Sequence, residues 1–420
     1  MKRYLLFYNF LLVFTIQTPL QAQLTIERCQ ELAKANHPII QRHQIIGKTA
    51  EYNLSNAAKG YLPQLMVLAR ATYQSDVTAI PIQIPGIQID GLSKDQYQAT
   101  IDISQSLWDG GAVNAQKELV KAGEAVEQEQ LKVDLYALEK RVNQLFFGVL
   151  LWEAQIAQNL ILQAELQRSY ALVYAYQQNG VANQADVDAV SVERLRCQQQ
   201  YQQLLSGRMA YIEMLGVMIG QSIDESVTFV KPNPDHILFY NQMNRPEMRL
   251  FDAQNRLFET QKSALLVGYM PRFNLFVQGG YGRPGLNMLK RDFAPFAIGG
   301  IRMAWNFGAL YTRKNDLRKI ELNQQNVEVL RETFLYYTNI DISQQNIQIE
   351  RIRKMMLFDD EMIVLRERIR QAAEAKVANG TISVSELMRE LHAEHLAKQE
   401  KSIHEIELIT AIYDLKYNVN

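Results

Sequence analysis

The chain has 420 residues, of which 47% are hydrophobic, and its 44 basic and 45 acidic side chains give a formal net charge of -1. This composition supports a sizeable folded core. The balanced charge offers no basic surface that could neutralise phosphates, so we expect no nucleic-acid ligand.

The segment 1–22 is predicted to be a cleaved signal peptide. Lys2 and Arg3 form a short positive region, an almost unbroken apolar run extends over 5–16, and cleavage is expected near Ala22. An N-terminal anchor helix is the alternative, but the apolar run is too short to cross about 30 Å of hydrocarbon. The protein is therefore expected to be exported.

Charged residues are spread through every stretch after about residue 26. We therefore expect no later helix to be apolar enough to span a bilayer. If the mature chain crosses a membrane, it must do so as strands.

Cys29 and Cys197 are the only cysteines. An exported compartment would permit them to form a disulfide, and the sequence leaves that pairing open. We expect two free, buried thiols.

The mature chain is predicted to be a tandem duplication, because landmarks of its first half recur in the same order about 200 residues later. The matched landmarks are Asn36-His37-Pro38 with Asn244-Arg245-Pro246, Tyr61-Leu62-Pro63-Gln64 with Tyr269-Met270-Pro271-Arg272, Trp108 with Trp305, and Asn179-Gly180 with Asn379-Gly380. The chain then divides into a first repeat at 23–220, a linker at 221–243 and a second repeat at 244–420.

Each repeat is predicted to begin with a helix, at about 24–59 and 244–267. Pro38 and Pro246 stand near the first turn, where a missing backbone N–H is tolerated.

Two strands follow in each repeat, joined by a loop that contains proline and glycine. Apolar and polar side chains alternate at about 64–74 and 96–104, and again at about 273–281 and 301–306. The apolar positions are Leu65, Val67, Ala69, Ala71, Tyr73, Tyr97, Ala99, Ile101, Ile103, Phe273, Leu275, Val277, Tyr281, Ile301, Met303 and Trp305. Strands of nearly ten residues have the length that crosses a bilayer at a tilt.

A long helix follows in each repeat, at about 112–178 and 309–378, and a second helix comes after it at about 183–219 and 383–417. The Asn-Gly pairs supply the left-handed residue that ends the long helix before the chain reverses, which predicts a helical hairpin. In the first long helix, apolar residues step alternately by four and three, which is typical of a seam between helices. The seam residues are Leu131, Leu135, Leu138, Val142, Leu145, Val149, Trp152 and Ile156.

Four amphipathic strands cannot close a barrel by themselves, and open strand edges are not tolerated in lipid. Several copies must therefore share one barrel, which would have eight strands from two copies or twelve from three. The predicted fold class is mixed α+β, internally duplicated, with antiparallel helical hairpins that form an α-barrel and four strands that contribute to a shared transmembrane β-barrel.

The duplicated order of helix, strand pair and helical hairpin, with the landmarks above, resembles the TolC-like outer-membrane efflux family over nearly all of the mature chain. The resemblance implies a homotrimer in outer-membrane lipid, with a twelve-stranded barrel and a periplasmic α-barrel. It also implies hairpin tips that meet a periplasmic adaptor and an inner-membrane transporter. The function it implies is a passive exit duct for an efflux pump or a type I secretion system, whose cargo the sequence does not reveal.

The family carries acidic residues near these tips. The matching positions are Asp186 and Glu386, which follow Gly180 and Gly380. One hypothesis is that copies around an axis form carboxylate rings that favour cations and narrow the mouth. The equal alternative is that both carboxylates only cap the returning helix. Arg389, one turn beyond Glu386, could neutralise it.

Three apparent chemical motifs are interpreted as structural. The glycine pattern at 280–285 precedes no helix that could hold a pyrophosphate, and we expect a hairpin loop there. The histidines of 392–395 lack zinc-protease spacing, and we expect a solvated helix face. The carboxylates of 359–361 lie within one helix and face different directions. We expect no enzyme activity, metal or cofactor.

Two alternative functions are weighed against the exit duct. A periplasmic coiled-coil scaffold or adaptor would explain the heptad seam but would have no use for four amphipathic strands. An exported hydrolase with a helical insertion would need a nucleophile and a base that the sequence does not show.

Overall fold

The computed structural model describes residues 23–78, 91–224, 226–234, 244–288 and 290–419. The predicted signal peptide and part of the predicted linker lie outside these ranges. The helices are α1 (Ile26–Asn36), α2 (Gln41–Ala58), α3 (Ala112–Gln178), α4 (Gln184–Ile219), α5 (Pro246–Val267), α6 (Arg313–Ala378) and α7 (Val384–Val419). The strands are β1 (Gln23–Leu24), β2 (Gln64–Tyr73), β3 (Asp95–Trp108), β4 (Thr228–Phe229), β5 (Arg272–Arg283) and β6 (Ala294–Ala304).

The first predicted helix, at about 24–59, is interrupted, so the expectation of one continuous helix was wrong. α1 ends at Asn36, and His37 is extended at φ -66° and ψ 133°. Pro38 disfavours a helical conformation in the residue before it, and a short 3-10 turn at Pro38–Ile40 then leads into α2. Pro246, in contrast, is the first residue of α5, where proline is well accommodated.

The long helices have nearly the predicted bounds. α3 covers the predicted range, whereas α6 begins at Arg313, later than the expected 309. A 3-10 turn at Phe307–Tyr311 comes first, and the side chain of Asn306 accepts a hydrogen bond from the backbone N–H of Gly308 at its start. Every predicted seam residue of α3 is buried or half-buried, as the heptad spacing indicated.

The four long strands form one antiparallel sheet in the order β2-β3-β5-β6. The sheet therefore has β2 and β6 at its two edges. β1 and β4 form a separate parallel pair of two residues each.

The chain separates into two compact units, and each unit combines segments of both halves of the chain. Among the described residues, unit 1 contains 23–40, 134–224, 226–234, 244–245 and 336–419, and unit 2 contains 41–78, 91–133, 246–288 and 290–335. The four-stranded sheet belongs to unit 2.

The core of unit 1 includes several apolar residues of α3. By length and composition, this helix has an 18-residue window apolar enough to cross a membrane, so the expectation of no such helix was wrong. Phe146 and Val149 of α3 are fully buried among Leu215, Ile219 and Ile409 of the same unit. These side chains of α3 thus belong to a protein core, whereas 39% of the apolar window as a whole is buried within the single chain.

Cys29 and Cys197 are buried and form no disulfide. Cys29 packs in the cluster around Phe146, and Cys197 packs in a second cluster of unit 1. Burial raises the pKa of the Cys29 thiol to about 12, and burial also raises the pKa of Cys197.

We expect both thiols to resist maleimide labelling in the folded protein at mildly alkaline pH, because a buried thiol with a raised pKa supplies almost no thiolate. Mass spectrometry after labelling should show two modifications in guanidinium and none under native conditions. Rapid native modification at either position would contradict this packing.

Candidate functional site

One face of the sheet is apolar and exposed. In register, Val67 of β2 lies beside Ile101 of β3, and Leu275 of β5 lies beside Ile301 of β6. Val67 is 68% exposed and Ile301 67%, although both are large apolar side chains. The other exposed apolar members of this face include Leu65, Tyr97, Ile103, Val277, Tyr281 and Met303. An exposed apolar surface of this extent marks a site of contact with lipid or protein.

Aromatic side chains border the apolar face at both ends. At one end, the ring centroids of Tyr97 and Phe293 are 6.2 Å apart, and those of Tyr281 and Phe293 are 5.6 Å apart. At the other end, the rings of Trp108 and Phe273 are 5.9 Å apart. Outer-membrane strands carry such aromatic girdles at the two interfaces of the bilayer.

The charged side chains on the apolar face of the strands lie at one end only. Asp95 and Arg283 form an ion pair beside the Tyr97 cluster, and the Arg283 guanidinium is 5.4 Å from the ring centroid of Phe293. A paired charge at the border leaves the centre of the face free of ionised groups.

The opposite face of the sheet is more polar. Asp102 at its centre accepts hydrogen bonds from Gln278 Nε2 at 2.5 Å and from Thr100 Oγ1 at 3.1 Å. Arg70 and Arg302 project from the same face and are exposed. The same face also carries Met66, Leu68, Phe276, Phe296 and Ile298, so the predicted alternation of an apolar and a polar face is present in part.

The predicted glycine loop begins later than expected. Gly280 and Gly282 lie inside β5, and the loop starts only after Arg283. A Cβ on Gly282 would lie 2.7 Å from the backbone oxygen of Tyr97, so this glycine permits close strand packing. The glycine pattern therefore has a structural role in the sheet.

The two helix turns of unit 1 contain the predicted site glycines. Gly180 follows α3 with φ 73° and Gly380 follows α6 with φ 65°, as the left-handed end of a helix requires. Side chains from both turns pack in one cluster, which includes Val173 and Val187 from the first and Val377 and Leu387 from the second. The structure therefore brings the two turns together.

Asp186 and Glu386 both occupy capping positions at these turns. The Asp186 carboxylate accepts from the backbone N–H of Asn183 at 3.0 Å, and its own N–H donates to the Asn183 side chain. Glu386 and Ser383 exchange the equivalent hydrogen bonds at 3.2 Å each. This geometry fits the capping alternative and leaves both groups in the first turn of the returning helix.

Arg389 does not contact Glu386 within the described part of the chain. Its Nε lies 3.5 Å from Oε1 of Glu390 instead, and the side chain is 70% exposed. The neutralising contact suggested by the sequence therefore finds no support.

The histidine motif at 392–395 surrounds a buried ion pair, so the expectation of a solvated helix face was wrong at this point. Glu394 is 1% exposed, and its carboxylate accepts hydrogen bonds from Arg370 of α6 and Lys398 of α7. His392 instead lies 2.8 Å from a carboxylate oxygen of Glu193. Among the described residues, no three metal-ligating side chains are grouped.

No protein-family model and no curated protein sequence match the chain. Several solved structures, however, match the chain. The outer-membrane channel CmeC of Campylobacter jejuni is 13% identical, with 94% of this chain and 85% of that chain covered and a TM-score of 0.64. The outer-membrane protein VceC of Vibrio cholerae is 12% identical, with 93% and 96% covered and a TM-score of 0.64.

The open state of the outer-membrane channel MtrE of Neisseria gonorrhoeae is 13% identical, with 94% of this chain and 88% of that chain covered and a TM-score of 0.65. The likeness therefore extends over nearly the full length of each protein. At these identities it concerns the fold, and the chain has the fold of the TolC-like outer-membrane efflux proteins.

Proposed function

We propose that the protein is a subunit of an outer-membrane exit duct, a passive and non-enzymatic conduit from periplasm to exterior in a tripartite efflux pump or a type I secretion system. The main support is the sheet, which has one exposed apolar face, aromatic borders at both ends and an opposite face that carries its arginines and Asp102. Outer-membrane strands show this pattern because one face meets lipid and the other meets a water-filled lumen. The solved structures with this fold are themselves outer-membrane channels.

The open edges of the sheet support assembly into a homotrimer. Neighbouring strands alternate in direction, so the edge strands β2 and β6 run opposite to each other. β6 of one copy can therefore pair with β2 of the next in a continuing antiparallel ladder. Three copies close a barrel of twelve strands that is wide enough for a lumen, and closure satisfies every edge amide in lipid.

The helices of unit 1 are the proposed periplasmic part of the duct. They include the two turns at Gly180 and Gly380, which would face a periplasmic adaptor and an inner-membrane transporter. A signal peptide at 1–22 would direct export. A tandem duplication, with repeats at 23–220 and 244–420 joined by 221–243, would account for the two similar turns.

Asp186 and Glu386 are proposed to act at the periplasmic mouth as carboxylate rings in addition to capping their helices. Replacing them as Asp186→Asn with Glu386→Gln removes both charges but keeps oxygen acceptors for the caps. We expect the potassium-to-chloride permeability ratio to fall, measured as the reversal potential in a KCl gradient across a planar bilayer. Unchanged conductance and ion preference would leave the two carboxylates with the capping role alone.

The duct itself is tested by the mass and the conductance of the purified protein. Light scattering in detergent, corrected for bound detergent, should give a trimer, and the same preparation should form pores in a planar bilayer. A water-soluble monomer or dimer without conductance would mean that the strands do not meet lipid, and a periplasmic coiled-coil scaffold would become the better interpretation.

A further inference from the structure

The polar face of the sheet carries more positive than negative charge. Its strand positions include Arg70, Arg272 and Arg302, and Asp102 is the only carboxylate among them. The three arginines are exposed, whereas Asp102 is half-buried and already accepts two hydrogen bonds. The exposed charge on this face is therefore cationic.

Two of the three arginines carry this charge outside any ion pair of the described residues. Arg272 lies close enough to Asp109 for its charge to favour the ionised carboxylate there. Desolvation would raise the pKa of Asp109, but hydrogen bonds from the backbone of Val113 and Gly111, together with Arg272, hold it below its ordinary value. Arg70 and Arg302 form no ion pair within the described ranges.

We propose that Arg70 and Arg302 line the lumen of the barrel and favour anions in that part of the duct, whereas the carboxylate rings proposed for the periplasmic mouth favour cations. This rests on the proposed function, since only a closed barrel turns the polar face into a lumen wall. Rings of arginine are the arrangement that favours anions in pores, and a guanidinium stays charged at every physiological pH. Threefold repetition would produce one ring from each arginine.

The two rings lie at different heights. Arg302 is in register with Asn274, whereas Arg70 is in register with Gln98, which pairs with Gly282. Asn274 and Gly282 are eight residues apart on β5, or about 26 Å of strand at roughly 3.3 Å per residue. This exceeds a Debye length of about 8 Å at physiological salt, so each ring acts on passing ions separately.

A contact with an aromatic ring holds one of the two arginine side chains, that of Arg302, in place. The Arg302 guanidinium lies 4.6 Å from the ring centroid of Phe276 on the same face. Such stacking holds the charge against the wall and leaves the centre of the lumen open. A large or flexible anion could then pass through the lumen while the electrostatic field of the arginine ring attracts it.

The test compares three forms of the full-length protein in planar bilayers under a KCl gradient. These are the wild type, the neutral variant Arg70→Gln with Arg302→Gln, and the charge-keeping variant Arg70→Lys with Arg302→Lys. We expect the neutral variant to lower the chloride-to-potassium permeability ratio by about twofold or more, and the lysine variant to keep the wild-type ratio. The difference should shrink as the salt concentration rises, because screening weakens it.

The possible results separate this inference from the proposed function. If the neutral variant conducts with an unchanged permeability ratio, or if both variants shift that ratio equally, the arginine charges do not set the ion preference. The inference is then wrong, but the proposed function as a duct is unaffected. If the wild type carries no current at all, the proposed duct fails and the inference fails with it.

Discussion

Val67→Arg should prevent the protein from assembling as a trimer in the outer membrane, whereas Leu68→Arg on the next position of the same strand should leave assembly nearly intact. Val67 lies on the apolar face opposite Ile101, and Leu68 lies on the polar face opposite Thr100. Only Val67 would meet lipid in the proposed barrel.

The expected size of the effect follows from the cost of a charge in hydrocarbon. An arginine on the lipid face near the middle of the bilayer costs about 2–4 kcal/mol, and a trimer incurs that cost in each copy. The same arginine on the lumen face remains hydrated. Val67 and Leu68 are 68% and 51% exposed in the single chain, so neither substitution removes core packing. Comparing the two variants therefore isolates the effect of lipid contact on assembly.

The measurement is the amount of heat-modifiable trimer in the outer-membrane fraction, compared with total exported protein. Val67→Arg should deplete the trimer strongly, and Leu68→Arg should stay near the wild type. Equal loss in both variants would indicate a general folding defect. Equal survival of both would mean that the apolar face does not lie in lipid, which would count against the duct.

The elements that the sequence predicted best are those whose pattern is local. Alternation of apolar and polar side chains determines which face a strand residue occupies, so residues such as Val67 and Ile101 could be assigned before the partner strand was known. Gly180 and Gly380 likewise mark helix ends by a backbone requirement that few other residues meet. Both kinds of signal depend on a single residue and its neighbours.

The elements that were missed depend on distant parts of the chain. The motif at 392–395 looks solvated because Lys and Glu surround it, and only the packing of α7 against Arg370 of α6 buries Glu394. The aromatic border formed by Tyr281 and Phe293 joins two strands across a loop, so a scan of single strands did not identify it. An aromatic count at the strand ends could have done so.

The proposed carboxylate rings at the periplasmic mouth depend on more than the local sequence. Spacing after the glycines located Asp186 and Glu386 at the starts of α4 and α7, and the structure shows how each caps its helix. A ring of such carboxylates is a property of several copies around an axis. The proposed role at the mouth therefore depends on the trimer.

Glu394→Ala should cause a large loss of stability in unit 1. The side chain is 1% exposed and joins Arg370 to Lys398, so its removal leaves two cations partly buried and without their shared partner. Removing one partner of a buried ion pair costs about 3–5 kcal/mol. We expect the lower end of that range, because Arg370 keeps its pair with Glu374.

The matched control is Glu390→Ala, one turn earlier on α7. Glu390 lies 3.7 Å from Arg366 and 3.5 Å from Arg389, and both arginines are substantially exposed. Exposed pairs contribute about 1 kcal/mol or less, so this variant should unfold close to the wild type. The comparison uses the denaturation midpoint of the helical circular dichroism signal in detergent, and equal midpoints for the two variants would refute the role given to Glu394.

The same ion pair predicts how stability depends on pH. Burial would raise the pKa of Glu394, but hydrogen bonds from Lys398 and Arg370 hold it below its ordinary value near 4.5. A carboxyl whose pKa is lowered by folding stabilises the folded state above its unfolded pKa, and this contribution is lost as pH falls through the folded pKa. The wild type should therefore lose stability below about pH 4.5, and Glu394→Gln should be less stable at neutral pH but lose less on acidification. Parallel pH profiles for the two proteins would show that other carboxylates, and not Glu394, govern acid unfolding of unit 1.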